Sequence, residues 1–263
     1  MTKSPTQVLL SLDGAVAIIT LFNPPMNVVT RQMTADLEAT LATVQADESV
    51  RAVVLTGHGS RAFCSGSDIK EFPDLMMPGQ VVEKKLKRQN DIFRTLYEFP
   101  KPTIAAVGSL AYGGGLEIAI CCDLIIAEDN TRFSLPELNL GVFPSSGGTY
   151  RMARKIGASR TKELIFLGEA IDADTALSWG LINRKSPVGQ STQMALSLAH
   201  KLARKPRLAM RLSKELIHYD LNASQDELIQ ASLDRSDQAF CSPECREGVR
   251  AFMAKQPPDF TAL

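Results

Sequence analysis

Two glutamates stand out for chemistry because of their settings. Glu117 falls in AAVGSLAYGGGLEIAICCDLIIA (105–127), two residues after the run Gly113, Gly114 and Gly115, and is the only charged residue of that stretch before Asp123. Glu137 falls in RFSLPELNLGVFPSSGGTYRM (132–152), behind a proline and among apolar residues. Burial penalises the charged form of a carboxyl group and raises its pKa. Two such groups, twenty residues apart, suit a general acid/base pair in which one gives a proton and the other takes one. Each alone also fits a helix cap or an ion-pair partner.

The glycines admit two readings. Three of them ahead of a helix expose backbone N–H groups that bind negative charge; they also suit a tight strand-to-helix turn. GGGLEIA lacks the Gly-Lys-Ser/Thr ending and the G-x-G-x-x-G spacing of phosphate loops. A second run of small residues, Cys64 to Ser67 in AFCSGSDIKEF (62–72), follows the β-branched VRAVVLTG (50–57). Two loops that supply one N–H each would form an oxyanion site, which stabilises an enolate or a tetrahedral species.

These residues need elements to position them. VLLSLDGAVAIITLF (8–22) reads as two strands joined at Asp13-Gly14. VTRQMTADLEATLATVQADES (29–49) reads as a helix with Leu37, Leu41 and Val44 on one face. VRAVVLTG, TIAAVGSL (103–110) and CDLIIA (122–127) read as strands, and QVVEKKLKRQNDIFRTLYEF (80–99) as an amphipathic helix whose EKKLKRQ is a solvated face. Strands and helices thus alternate to about residue 130, which predicts an α/β architecture with buried, partly parallel strands. Beyond residue 146 the runs read as helices, with no strand signal longer than LINRKSP. That second part is expected to wrap the first, or a neighbouring subunit, with Trp179 in the core.

Composition narrows the function classes. The chain has 263 residues, 44% hydrophobic and 22% charged, with 29 basic and 29 acidic side chains. Zero net charge argues against nucleic acid or an anionic membrane as partner. The cysteines, Cys64, Cys121, Cys122, Cys241 and Cys245, are odd in number and two are adjacent, which opposes a disulfide framework. Cys241 and Cys245 have no second pair nearby and read as free thiols rather than a metal site. His58, His200 and His218 are scattered, against a Ser–His hydrolase or a His-rich metal centre. MTKSPTQVLLSLDG has no leader pattern, and no segment reaches about 18 continuous apolar residues. The expectation is a soluble, cytoplasmic protein.

SGSDIKEF, the block from Ala105 to Met152, and GEAIDADTALSWGLINR (168–184) resemble the enoyl-CoA hydratase/isomerase (crotonase) family. The resemblance runs from FNPPMNVVT to REGVRAFMAKQPPDF. It implies a crotonase-like spiral of ββα units over residues 1–200, then a helical C-terminal trimerisation region over 201–263. It implies a homotrimer or a hexamer of paired trimers, and an acyl-CoA thioester substrate. Ser67 and Gly114 match the residues whose backbone N–H groups hold the thioester oxygen, with the helix near Gly115 aiming its positive end at the enolate. Glu117 and Glu137 match the two catalytic glutamates of the hydratases. On a trans-2-enoyl-CoA, Glu117 would deprotonate the water attacking C3 and Glu137 would protonate C2. No metal or redox cofactor is implied, because the thioester and the oxyanion site supply the activation.

The resemblance also implies substrate contacts. Ser65, Asp68 and Ile69 flank the oxyanion loop. Met26 in PMN lies where the family's backbone meets the adenine, and Lys255 matches a lysine that approaches the nucleotide from a subunit surface. Phe72, Met76 with its neighbour Met77, and Phe143 suit a mobile acyl pocket, since methionine adapts to irregular apolar shapes; the segment 71–85 equally reads as a surface loop. Three positions depart from the common pattern. AVGS (106–109) replaces AVNG, Ser67 replaces an alanine, and PSSGG (144–148) replaces PGAGG, putting Ser145 where a glycine backbone helps to place the water. Retention of both glutamates favours hydration over Δ3,Δ2-enoyl-CoA isomerisation, decarboxylation or thioester hydrolysis. A non-catalytic acyl-CoA- or RNA-binding protein is the reading from another class, opposed by the glutamate pair and the zero charge.

Overall fold

The first strands close on a tight turn. In the computed structural model, which describes residues 5–219 and 223–262, β1 (Val8–Asp13) and β2 (Val16–Leu21) pair antiparallel with Asp13 opposite Val16. The turn is Gly14-Ala15, one residue later than expected, with Gly14 at φ +55°. Residues 1–4, part of the stretch read for a leader, lie outside the described residues. Helix α1 (Arg31–Ala46) is capped by the Thr30 hydroxyl, which accepts from Met33 N. It buries Met33, Leu37, Leu41 and Val44, the apolar stripe expected from their spacing. It leads into β3 (Ala52–Gly57), which runs parallel to β2.

The expected helix over 80–99 is in two parts. Val82–Leu86 form a π-turn, with Lys87 N–H donating to Val82 O, and α2 (Lys87–Tyr97) follows. The expected strand over 103–110 also divides. β4 (Thr103–Val107) belongs to one sheet and β5 (Leu110–Tyr112) to another, and Gly108-Ser109 turn the chain between them. Ser109 sits at φ +63°, where Cβ crowds the backbone. We expect Ser109→Gly to raise stability by about 0.5–1 kcal/mol, seen as a higher urea midpoint at unchanged m-value.

Helix α3 (Gly114–Ala119) is followed by β6 (Leu124–Glu128), β7 (Arg132–Ser134), α4 (Tyr150–Ile156) and α5 (Ala158–Leu167). Next come β8 (Ile171–Asp172), α6 (Ala173–Ser178), β9 (Arg184–Ser186) and α7 (Ser191–Ala203). The strands β7 and β8 are too short to show a period-two pattern, and sequence reading missed both. β1-β2-β3-β4-β6-β9 form a six-stranded sheet, parallel except for the β1–β2 pair, and β5-β7-β8 form a three-stranded one. Past β4 the chain passes back and forth between the sheets, β5 in the smaller, β6 in the larger, β7 and β8 in the smaller and β9 in the larger, which makes the spiral. The inner faces and α1 to α3 enclose the main core.

The far face of the larger sheet is covered by α7, whose Ala195, Ala199 and Ala203 pack on Val16, Ala52, Val54 and Ile104. Helix α7 runs across residue 200, and α8 (Arg207–Ile217), α9 (Gln225–Phe240) and α10 (Pro243–Met253) complete the helical end. Asp220, at the end of the run read as a helix from 207, lies outside the described residues. Trp179, expected in the core, is half-buried, with the Arg160 guanidinium over its ring.

Candidate active site

The three glycines precede and open α3 for different reasons. Gly113 takes φ +49°, and a Cβ there would stand 3.1 Å from Glu137 Oε1. Gly115 lets α3 lie against the Cys64 backbone: an added Cβ would be 2.2 Å from the Cys64 carbonyl oxygen. Backbone cannot yield at that distance. Gly115→Ala is expected to destabilise the fold by at least the ~1–3 kcal/mol typical of overpacking, measured by urea unfolding. Gly114 is the open position. A Cβ there would sit 3.6 Å from Ser67 N, over the space that the two residues share.

Ser67 is held from behind. Val29 N–H donates to Gly66 O at 2.8 Å, and Asp68 N–H donates to Val29 O at 3.0 Å. This bridge, with Gly66 at φ +101°, leaves Ser67 N–H on the opposite side of its strand. Among the described residues neither Ser67 N–H nor Gly114 N–H has a protein acceptor. Helix α3 has only six residues, so its dipole is short and the free N–H groups themselves are the main source of positive potential.

The two carboxyl groups are held in opposite ways. Glu117 is 3% exposed, and its Oε1 accepts from Ser146 N at 2.7 Å and Gly148 N at 2.9 Å. Burial raises its pKa, while these N–H groups and the Arg151 guanidinium pull it back. Arg151 also secures the turn, donating to Ser146 O at 2.9 Å. The other oxygen, Oε2, has no protein partner among the described residues and faces the cavity. Glu137 opens a short 3₁₀ turn (Glu137–Leu140), and its carboxyl has only its own backbone N–H as a backbone donor. Its Oε2 is buried without a hydrogen-bond partner. Burial, then the Glu117 charge, push its pKa up to about 7. Burial thus raises both carboxyls; the Ser146 and Gly148 N–H groups favour the charged form of Glu117, while Glu137 titrates near neutrality.

Both carboxyls line a cavity of about 470 Å³, together with Ser65, Ser67, Gly114 and Ser145. Ile69, Phe72, Met76 and Phe143 line it too, which makes segment 71–85 a pocket wall rather than an incidental surface loop. Met26, Asp68 and Lys255 are not brought there. The Met26 carbonyl ties down Ser65 N, the Asp68 carboxyl caps the turn at Lys70 N, and Lys255 is exposed beyond α10. A larger cavity, about 700 Å³, lies between α3–α4 and α8. It contains neither glutamate; its thiols Cys121 and Cys122 are raised by burial, Cys121 to about 12. Among the described residues no group of His, Cys, Asp or Glu is placed to hold a metal, all five cysteines are free, and no helix is long and apolar enough to cross a membrane.

Sequence reading missed four residues here. Ser146 and Gly148 hold Glu117 by backbone N–H, which a sequence motif does not reveal, although PSSGG had drawn attention to their neighbour Ser145. Lys85 and Gln89 also line the cavity, buried to 4% and 2% exposure. This corrects the reading of EKKLKRQ as a solvated face at these two positions, while Glu83, Lys84, Lys87 and Arg88 are exposed as expected. Lys85 and Gln89 continue the inward stripe of Ile92, Phe93 and Leu96 at helical spacing, a phase that the run of charges concealed.

Known proteins resemble this chain over nearly its whole length. A chain named probable enoyl-CoA hydratase from Bacillus subtilis (strain 168) is 35% identical over 253 residues, 95% of this chain and 97% of its own. One named short-chain-enoyl-CoA hydratase from Clostridium acetobutylicum is 33% identical, covering 95% of both. The crystal structure of an enoyl-CoA hydratase from Bacillus anthracis superposes with a TM-score of 0.91 at 29% identity, over 98% of this chain and 100% of that one. The family model described as enoyl-CoA hydratase/isomerase matches residues 12–262. With nearly every residue inside the match and relatives this similar over almost their whole length, the chain belongs to the enoyl-CoA hydratase/isomerase family.

Proposed function

We propose that this protein is an enoyl-CoA hydratase, adding water reversibly and syn to a trans-2-enoyl-CoA thioester. The observation that carries the reading is the convergence of two buried carboxyls, only one of them held by N–H donors from other residues, with two free N–H groups in one cavity. Ser67 N–H and Gly114 N–H donate to the thioester oxygen and stabilise the charge that grows on it. Glu117 Oε2 takes a proton from water as its oxygen bonds to C3. The C2–C3 π electrons move toward the thioester oxygen, and Glu137 delivers its proton to C2. Addition leaves Glu117 protonated and Glu137 ionised, and one proton transfer between them or through water restores the start.

The relatives' names support the substrate class, an acyl-CoA thioester. The proposed assembly is a homotrimer or a dimer of trimers. Leu233, Phe240, Val249, Phe252 and Met253 on α9 and α10 are exposed, a concentration of apolar side chains that association would cover. Light scattering behind gel filtration reads the mass directly.

Crotonyl-CoA and longer trans-2-enoyl-CoAs are the test substrates, followed by loss of the conjugated thioester absorbance. Hydration of at least one supports the reading. A protein that binds these thioesters, leaves them unchanged, and moves the double bond of a 3-enoyl-CoA would be an isomerase instead.

A further inference from the structure

The cavity holds a buried charge that the hydration mechanism does not use. Lys85, in the π-turn ahead of α2, is paired with Glu71: Nζ lies 3.1 Å from Glu71 Oε2, with the two side chains 3% and 15% exposed. Lys85 Nζ also donates to Val29 O at 3.4 Å. That carbonyl already accepts from Asp68 N–H, and Val29 N–H holds Gly66 O. On its other oxygen, Glu71 accepts from Arg31 N at 3.0 Å and Arg31 Nε at 3.4 Å. Glu71 thereby ties the start of α1 to the segment that follows Ser67. A buried pair is a poor source of stability, because desolvation offsets its attraction, so stability alone does not account for it. Its ammonium grips Val29, the backbone bridge partner of Ser67.

We propose that Lys85 and Glu71 are positioning residues for the oxyanion donor. The ammonium fixes the Val29 carbonyl, Val29 fixes Gly66 and Asp68, and Ser67 N–H between them is thereby aimed at the thioester oxygen. This rests on the oxyanion reading above. Donor aim matters because the benefit of such a site comes from preorganisation: loss of one donor outright lowers rates by about 10²–10³, and misalignment is expected to lower kcat by about 10–100-fold.

The test separates aim from stability. Lys85→Met and Glu71→Gln each leave a partner unpaired and should lower Tm. The double variant removes both buried charges, so its Tm should recover toward wild type. If the clamp aims Ser67, kcat of the double variant stays about 10–100-fold low while KM moves little. The direct readout is the red shift of cinnamoyl-CoA absorbance on binding, recorded within the first turnover and below each variant's melting range. Hydrogen bonds to the thioester oxygen produce that shift. A smaller shift in all three variants supports the clamp. A full shift in the variants overturns it, whatever their Tm, as does joint recovery of Tm and kcat in the double variant. A wild type that shifts the band yet hydrates no enoyl-CoA overturns the hydratase reading alone. A wild type with no shift removes the oxyanion reading and the clamp with it.

Discussion

Glu137→Gln lowers the hydration kcat by about 10²–10⁴-fold, the usual worth of a general acid, and yields a protein that is more thermostable than wild type at pH 8. Both effects come from one environment. The Glu137 carboxyl is raised to about 7 by burial and by Glu117, against roughly 4.3 in an unfolded chain. Between those values the folded protein binds a proton that the unfolded chain has released. Stability therefore falls as pH rises through this window, and stays reduced above pH 7. Glutamine removes the titration. Its gain at pH 8 is about 1–3 kcal/mol, bounded by a shift from 4.5 to about 7 at ~1.36 kcal/mol per unit. The gain shrinks toward pH 5 as the wild-type carboxyl becomes protonated. Paired melting curves at pH 5 and 8 check this. In the wild type, hydration falls as pH rises through about 7 because the acid is lost. Dehydration falls over the same range, because it starts from the same singly protonated pair, with the proton on Glu117, and the equilibrium consumes no net proton. A variant that keeps its rate, or melts below wild type at pH 8, would contradict the assignment.

The second large effect is at Glu117, and it splits between two substitutions. Glu117→Gln keeps an oxygen that Ser146 N–H and Gly148 N–H can reach, but presents NH₂ where Oε2 faced the cavity. The fold is expected to survive while kcat drops by about 10²–10⁴-fold. Glu117→Ala loses the same activity and strands two buried N–H donors, at about 1–3 kcal/mol each. Steady-state kinetics with urea unfolding separate the cases. Equal stability of the two variants would mean that the turn at 146–148 reorients and does not depend on the carboxylate.

Much of this was legible before any coordinates. The α1 stripe, the Gly14 turn and the alternation of strand and helix follow from local spacing and from glycine placement. Glu117 and Glu137 were visible as carboxylates out of place among apolar residues. Lys85 was misread because a run of charges looks solvated whatever its phase. The division at Gly108-Ser109 was missed because an unbroken apolar run does not show where a chain changes sheets. Strands β7 and β8, of three and two residues, are held by their neighbours rather than by their own periodicity.

The sequence by itself determined the element types, the inward faces, the family resemblance and the residues able to move protons, because each depends on side chains and their near neighbours. Only the tertiary structure decided how the two carboxyls differ. The N–H donors that restrain Glu117 come from Ser146 and Gly148, about thirty residues on, whereas the Glu137 carboxyl has only its own backbone N–H. It alone brought Ser67 beside Gly114, through the Val29 bridge and the glycine contact at Cys64. Burial and hydrogen-bond direction set proton affinity, and both depend on chain segments whose approach no local pattern specifies.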